Sequence, residues 1–218
     1  MNSLTTNSIW FIALTLFLCV GCDSILQNSL EVQDASAESS SAESSSAGAT
    51  VQEEPLVPRV EYVNWSQFPI GTSVILVRET KSDVDQVIVT TTTHLAEKSE
   101  AKVVIETQIT VDRNGNLLKN PPMQLEFPAS FRLPHKMEAE KFSLPAPNAK
   151  ATGEETVKVE GKDYKATVYT WTGSSEAGPT TNTIWLSDDI PGRVIKQDMA
   201  CSAFKSQENL TKVEVPSE

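Results

Sequence analysis

An alternation of apolar and polar residues with a period of two is the feature that most constrains the fold of this chain. From residue 103 to residue 111, every second position is Val, Ile or Thr, and more polar side chains interleave with them. Successive side chains of a β-strand point to opposite faces, so this pattern predicts a strand with one apolar face. The same period recurs from Val57 onward and predicts an antiparallel β domain over residues 57–218.

Further β-rich segments predict the other strands of this domain. They are residues 73–79, 84–95, 157–159, 164–171, 183–187, 194–198 and 210–215. Two dipeptides predict the turns between them. Asn114-Gly115 is the strongest short hairpin signal, and Pro191-Gly192 suits the two central positions of a type II turn. Together these segments predict a meander of antiparallel strands.

Six prolines between Pro121 and Pro147 interrupt this pattern. Proline cannot donate to a strand ladder, so we expect loops and edge strands here, with a short edge strand over residues 123–127. Residues 138–144 offer one helical turn that Pro145 would end. The predicted fold class is therefore mainly β, a single curved antiparallel sheet, half-barrel or barrel-like, with little helix and behind a disordered N-terminal leader. Long flat sheets leave exposed edges, which favours the curvature.

The leader begins with an apolar run over residues 9–21. Its 13 residues are too few to span a membrane and are typical of a signal peptide, which we assign to residues 1–21. The run ends in Cys19-Val20-Gly21-Cys22, which resembles the bacterial lipobox. This resemblance implies that Cys22 carries the lipid after cleavage, and that the lipid tethers the mature chain to a membrane.

Residues 22–56 are rich in Ser, Ala and Glu and repeat Ser-Ala-Glu-Ser-Ser at 36–40 and 41–45. A segment with so little apolar surface does not offset its ordering entropy, so we expect a disordered tether. The chain before Arg59 holds seven acidic residues and no Lys or Arg. The formal net charge of −11 argues against nucleic acid as a partner, because phosphate binding needs a basic surface.

The sequence offers little for metal or covalent chemistry. His94 and His135 lie far apart, and Cys201, whose role the sequence leaves open, has no cysteine partner in the β domain. Residues 112–116 begin like a calcium loop but lack the later Gly and Glu of that motif, so the hairpin reading is preferred. No phosphate loop or nucleophile elbow is present. We expect no enzyme activity, no metal and no cofactor.

Two groups of residues are candidates for a site. Trp65, Trp171 and Trp185 would contact a ligand if the curved sheet encloses a cavity, although large aromatic residues also serve as core. Asp188 and Asp189 are paired carboxylates that suit acid–base chemistry. Next to a turn, such residues more often bond the local backbone.

Two segments resemble a group of uncharacterised bacterial envelope lipoproteins. Residues 185–194 are similar to a W-x-S-x-x-x-P-G-x-V pattern, and residues 65–74 are similar to an aromatic-then-glycine approach to a first strand. Such proteins look like relatives of the Lol lipoprotein carriers, which implies a curved antiparallel sheet around an apolar cavity over residues 57–215. The helices that plug the cavity of those carriers have no counterpart of sufficient length in this sequence.

The leading hypothesis is an exported, membrane-tethered protein of the bacterial cell envelope, facing the periplasm or the surface. Its β domain would be non-enzymatic and would bind a hydrophobic ligand or an envelope protein. Two alternatives remain open, a structural surface lipoprotein without a small ligand and a hydrolase that uses Asp188 and Asp189.

Overall fold

The computed structural model describes residues 55–133 and 138–217. Residues Pro55–Glu218 form one compact unit. The predicted signal peptide, Cys22, most of the predicted tether and His135 lie outside the described residues. The elements in chain order are β1 Leu56–Pro58, α1 Val60–Trp65, β2 Ser73–Ser82, β3 Gln86–Lys98, β4 Lys102–Arg113, β5 Asn116–Lys119, β6 Met123–Pro128, β7 Ser130–Arg132, a 3₁₀ helix Ala139–Phe142, β8 Lys150–Val159, β9 Lys162–Ser175, β10 Gly178–Leu186, β11 Val194–Ala200 and β12 Phe204–Glu214.

Ten of the strands form one antiparallel sheet in the order β5-β4-β3-β2-β12-β11-β10-β9-β8, and β6 also pairs with β4. It consists of two meanders, β2 to β5 and β8 to β12, which the pairing of β2 with β12 joins. The sheet is open, with β8 at one edge and β5 and β6 at the other. The prediction of a mainly β fold built on one antiparallel sheet is confirmed.

Several strands extend beyond their predicted bounds. β8 begins at Lys150 rather than at residue 157, and its first seven residues are exposed. An alternation signal arises only where one face is buried, so this solvated edge strand gave none. β3, in contrast, begins later than the predicted residue 84, at Gln86, and Val84 lies in the preceding loop with 92% of its surface exposed.

Both predicted turns are confirmed by their backbone angles. Asn114 and Gly115 have φ of 53° and 83°, as a type I′ hairpin requires. The Gly115 amide donates a hydrogen bond of 2.9 Å to the Asp112 carboxylate, so this acid supports the turn. In the second turn, Gly192 has φ of 77° and the Arg193 amide bonds the Ile190 carbonyl at 2.9 Å.

The hydrophobic core lies at one end of the strands. Val74 near the start of β2, Leu95 near the end of β3 and Leu210 on β12 belong to it, and strand pairing places all three on the same face of the sheet. We call this the core face. Trp65 of α1 and Ile190 of the β10–β11 loop complete the cluster at that end.

Helix α1 has only six residues, and no side chain caps its N-terminus. A helix this short is not stable alone, so packing decides its conformation, and the sequence analysis did not find it. Asn64 fastens it to the β10–β11 loop. Its amide group donates to the carbonyls of Asp188 (3.1 Å) and Ile190 (3.0 Å), and its side-chain oxygen accepts from the Gly192 amide (2.7 Å).

The proline-rich region forms edges and connections, as predicted. β6 is an edge strand, β7 pairs only with β1 in a separate two-stranded sheet, and the predicted helical turn is the 3₁₀ helix. β6 and β8 lie at opposite edges of the large sheet. No helix among the described residues is both long and apolar enough to cross a membrane.

Candidate functional site

An apolar strip occupies the part of the core face that lies away from the core. Its members are Val87 and Val89 on β3, Ile109 and Val111 on β4, and Leu118 on β5. The four residues of β3 and β4 are half-buried, whereas 62% of the Leu118 side chain is exposed. Strand pairing aligns Val89 with Val111 and Val111 with Leu118, so these three side chains form a continuous row across the sheet.

Two residues of β6 extend this apolar surface. Met123 pairs with Thr107 and Leu125 pairs with Ile105, which places both side chains on the core face. They are 39% and 37% exposed. Single exposed apolar residues are ordinary on a protein surface, but several adjacent ones on one face indicate an interaction site.

Polar side chains occupy the middle of the core face, between the core at one end of the strands and the opposite strand ends. Arg78 and Glu208 form an ion pair of 3.1 Å, with 19% and 10% of their side-chain areas exposed. Thr80 and Ser206 share a hydrogen bond of 3.0 Å in the neighbouring row of the sheet. The apolar strip therefore has a charged pair at its inner end and the free edge of β5 at its outer end.

An open pocket of about 610 Å³ lies at the β11–β12 turn and is lined in part by Asp198, Cys201 and Phe204. The Cys201 thiol is free and half-buried, and its sulfur accepts a hydrogen bond from the Ala203 amide at 3.4 Å. One carboxylate oxygen of Asp198 pairs with Lys196 at 3.1 Å, and the other is buried without a hydrogen-bond partner among the described residues. Across residues 55–133 and 138–217, no cluster of three metal-binding side chains occurs.

The three tryptophans proposed as ligand contacts do not meet in one place. Trp65 and Trp185 are 3% and 8% exposed and belong to the core cluster, whereas Trp171 is half-buried and lies outside that cluster. The Trp65 ring lies against Gly192, where an added Cβ would be 3.5 Å away. The Trp185 indole donates to Glu155 at 2.8 Å. None of the three lines the pocket at the β11–β12 turn.

The paired carboxylates lie in the β10–β11 loop. The Arg193 guanidinium donates to the Asp188 carboxylate at 2.7 Å, and 77% of the Asp188 side chain is exposed. Asp189 is also exposed. His94 lies on β3 opposite Glu106, on the face that the apolar strip does not use. The structure brings neither Asp188 nor Asp189 to the apolar strip.

Shifted pKa values occur at exposed ion pairs away from the strip. The ammonium of Lys212 hydrogen-bonds Glu214, which raises the pKa of this lysine and lowers the pKa of that glutamate. A hydrogen bond from the Ser73 hydroxyl also lowers the pKa of Glu214. Lys102 has a raised pKa, chiefly because of its hydrogen bond to Glu126. Exposed ion pairs of this kind contribute little to stability.

Sequence reasoning missed the apolar strip as a site. The alternation over residues 103–111 placed Ile109 and Val111 on the same face as Val103 and Ile105. It gave no sign that one end of that face is covered and the other is not. The burial of Val103 and the partial exposure of Val111 depend on where α1 and the β10–β11 loop pack.

The fold is similar to those of several bacterial proteins of known structure. LppX, a lipoprotein of Mycobacterium tuberculosis, matches with a TM-score of 0.34 and 12% identity over 72% of this chain and 93% of LppX. A protein of YmcC-like fold from Bacteroides fragilis matches with a TM-score of 0.37 and 9% identity, over 67% of this chain and 97% of its own. A hypothetical protein of Chlamydia trachomatis matches with a TM-score of 0.36 and 9% identity, over 75% and 95%.

LppX is itself a lipoprotein. At these identities the likeness concerns the fold alone. No protein-family model and no curated protein matches the sequence.

Proposed function

We propose that the chain is a lipid-anchored protein of the bacterial cell envelope whose β domain binds a hydrophobic ligand on the apolar strip, without catalysis. The observation that carries this proposal is the exposure of Leu118, Met123 and Leu125 on the face whose other end forms the core. Burial of an exposed leucine-sized side chain contributes about 1.5–3 kcal/mol when it is complete. Leu118, Met123 and Leu125 are 62%, 39% and 37% exposed, so a ligand that covers them would gain part of this free energy from each.

The envelope location and the anchor rest on the leader of the sequence. The apolar run over residues 9–21 and the lipobox-like residues before Cys22 support export and lipid attachment. Several acyl chains on one cysteine would hold the protein firmly at a membrane, since each buried methylene contributes about 0.8 kcal/mol.

The anchor is tested on the mature full-length protein, extracted from its own membrane in mild detergent. The protein mass measured under denaturing conditions should exceed the mass of the chain from Cys22 by the mass of the attached acyl groups. A Cys22→Ser chain should lack this added mass and should leave the membrane fraction. An unmodified Cys22 in the mature wild-type protein would remove the anchor from the proposal.

Adjacent leucines on β5 provide a matched test of the apolar strip. Leu118 lies on the core face, and Leu117, 71% exposed, lies on the opposite face. We expect Leu118→Asp to weaken binding of a fluorescent long-chain lipid about tenfold, because a carboxylate would enter the apolar row. Leu117→Asp should leave binding unchanged. Equal effects of the two substitutions, or no binding by the wild-type protein, would refute the strip as the site.

The two alternatives have less support. The Asp188 carboxylate is occupied by Arg193, and both aspartates of the hydrolase hypothesis point into solvent from a turn. A purely structural lipoprotein would not need the exposed apolar residues of β5 and β6.

A further inference from the structure

Arg78 is a charged side chain on the core face. It lies near the middle of β2, where its row of the sheet is otherwise apolar toward the β5 edge. Only 19% of its side chain is exposed, and it pairs with Glu208 on β12, which is 10% exposed. Partial removal of these two charges from water carries a desolvation cost that their mutual attraction must offset.

The pairing with Glu208 engages few of the N–H donors of the Arg78 guanidinium. Arginine carries five N–H donors in a fork that suits two parallel bonds to a carboxylate or phosphate. The Arg78 Nη2 atom lies 3.1 Å from the Glu208 Oε1 atom. Within the described part of the chain, Glu208 is the only ionic partner of Arg78, and the guanidinium makes no further side-chain hydrogen bond. A partly buried ion pair is weak evidence for a gain in stability, so stability alone does not account for it.

The surroundings of Arg78 are those of an amphiphile site. Register places Arg78 opposite Val89, Val89 opposite Val111, and Val111 opposite Leu118. Three strand spacings separate the ends of this row, or about 14 Å. A linear ligand with its head at Arg78 would therefore run its tail over three apolar side chains to the free edge of β5.

We propose that Arg78 is the headgroup anchor for a single-chain anionic lipid, and that Glu208 holds the guanidinium until the headgroup replaces it. This inference rests on the proposed function, since the tail occupies the apolar strip. The chemistry required is an oxyanion, the carboxylate of a fatty acid or the phosphate of a phospholipid, at the end of an alkyl chain.

The test uses three probes with the same C16 carbon chain, namely palmitate, hexadecyl phosphate and hexadecanol. Binding of each to the full mature chain is measured by titration and by native mass spectrometry. We expect both anions to bind the wild-type protein at least about tenfold more tightly than the alcohol, since hydrogen bonds to charged groups are the strong ones. Preference for palmitate over the phosphate would indicate a fatty acid, and the reverse a phospholipid headgroup.

Variants separate an anchor from a structural ion pair. Arg78→Gln should abolish the preference for anions and leave hexadecanol binding unchanged, and Arg78→Lys should retain part of it. Glu208→Gln should strengthen anion binding, because it removes the competing carboxylate. The matched control is Lys81→Gln, which changes a charge on the same strand but on the opposite face and should have no effect.

Each other outcome overturns a defined part of the argument. Equal binding of the three probes by the wild-type protein would refute the anchor and leave the apolar strip standing. An unchanged preference for the anions over hexadecanol in Arg78→Gln or in Glu208→Gln would also refute the anchor and leave the apolar strip standing. Failure of all three probes to bind would refute the proposed function together with the anchor. Urea unfolding of each variant identifies any that do not fold, and the result then rests on the remaining ones.

Discussion

Replacement of Asn64 by alanine should reveal how much the contact between α1 and the β10–β11 loop stabilises the domain. This side chain is 3% exposed and makes three hydrogen bonds to the loop. Asn64→Ala would leave the carbonyls of Asp188 and Ile190 and the amide of Gly192 without these partners. The net contribution of such a bond is about 1 kcal/mol, and an unsatisfied buried group costs about 1–3 kcal/mol.

Three bonds at about 1 kcal/mol each give an expected loss of about 3 kcal/mol in the free energy of unfolding. For a domain of this size, that loss lowers the melting temperature by roughly 6–12 °C. The assay is urea unfolding followed by tryptophan fluorescence, because Trp65 lies next to the substituted residue and is buried.

The control for this experiment is Gln67→Ala. Gln67 is exposed, and its side chain donates one hydrogen bond to the Val63 carbonyl at 3.0 Å. Its replacement should change the free energy of unfolding by less than about 0.5 kcal/mol. A loss below about 1 kcal/mol for Asn64→Ala, on the scale expected for one hydrogen bond, would refute the assignment of Asn64 as the fastening residue.

Two further substitutions test the core and the surface electrostatics. Leu95→Ala should cost about 2–5 kcal/mol in urea unfolding, because Leu95 is fully buried and its removal leaves a cavity; a cost near that of Leu118→Ala, an exposed leucine, would contradict the placement of the core. Glu214→Gln should reduce the change in the free energy of unfolding between neutral and acidic pH. The folded pKa of Glu214 is lowered by the Lys212 hydrogen bond, so its contribution is present above the unfolded pKa and is lost as pH falls through the folded pKa. Wild-type and variant unfolding curves should therefore differ at neutral pH at low salt and converge in acid, and a difference that persists in acid would contradict this origin.

Much of the strand content of this protein is determined locally. The alternation over residues 103–111, the Asn114-Gly115 turn and the Pro191-Gly192 turn each depend on a few neighbouring residues, and all three are present in the structure. Local preference also determined the outcome in the proline-rich region. Proline removes a backbone donor wherever the chain goes, so edge strands and loops followed without knowledge of the rest of the fold.

The sequence did not determine which strands far apart in the chain become neighbours. The pairing of β2 with β12 joins residues more than a hundred positions apart and makes one sheet of two meanders. It also brings Glu208 to Arg78. Period-two patterns report which side chains share a face of one strand, but not which strand lies beside it, so the ion pair was invisible in the sequence.

The sequence by itself determined the type of fold and the face of each central strand, because both follow from backbone and side-chain preferences within a few residues. Only the tertiary structure decided that Trp65 and Trp185 are core residues and that Leu118 lies at the end of an apolar row. The physical reason is that burial depends on what packs over a face. Here α1 and the β10–β11 loop close one end of the core face, and the strip at the other end remains accessible.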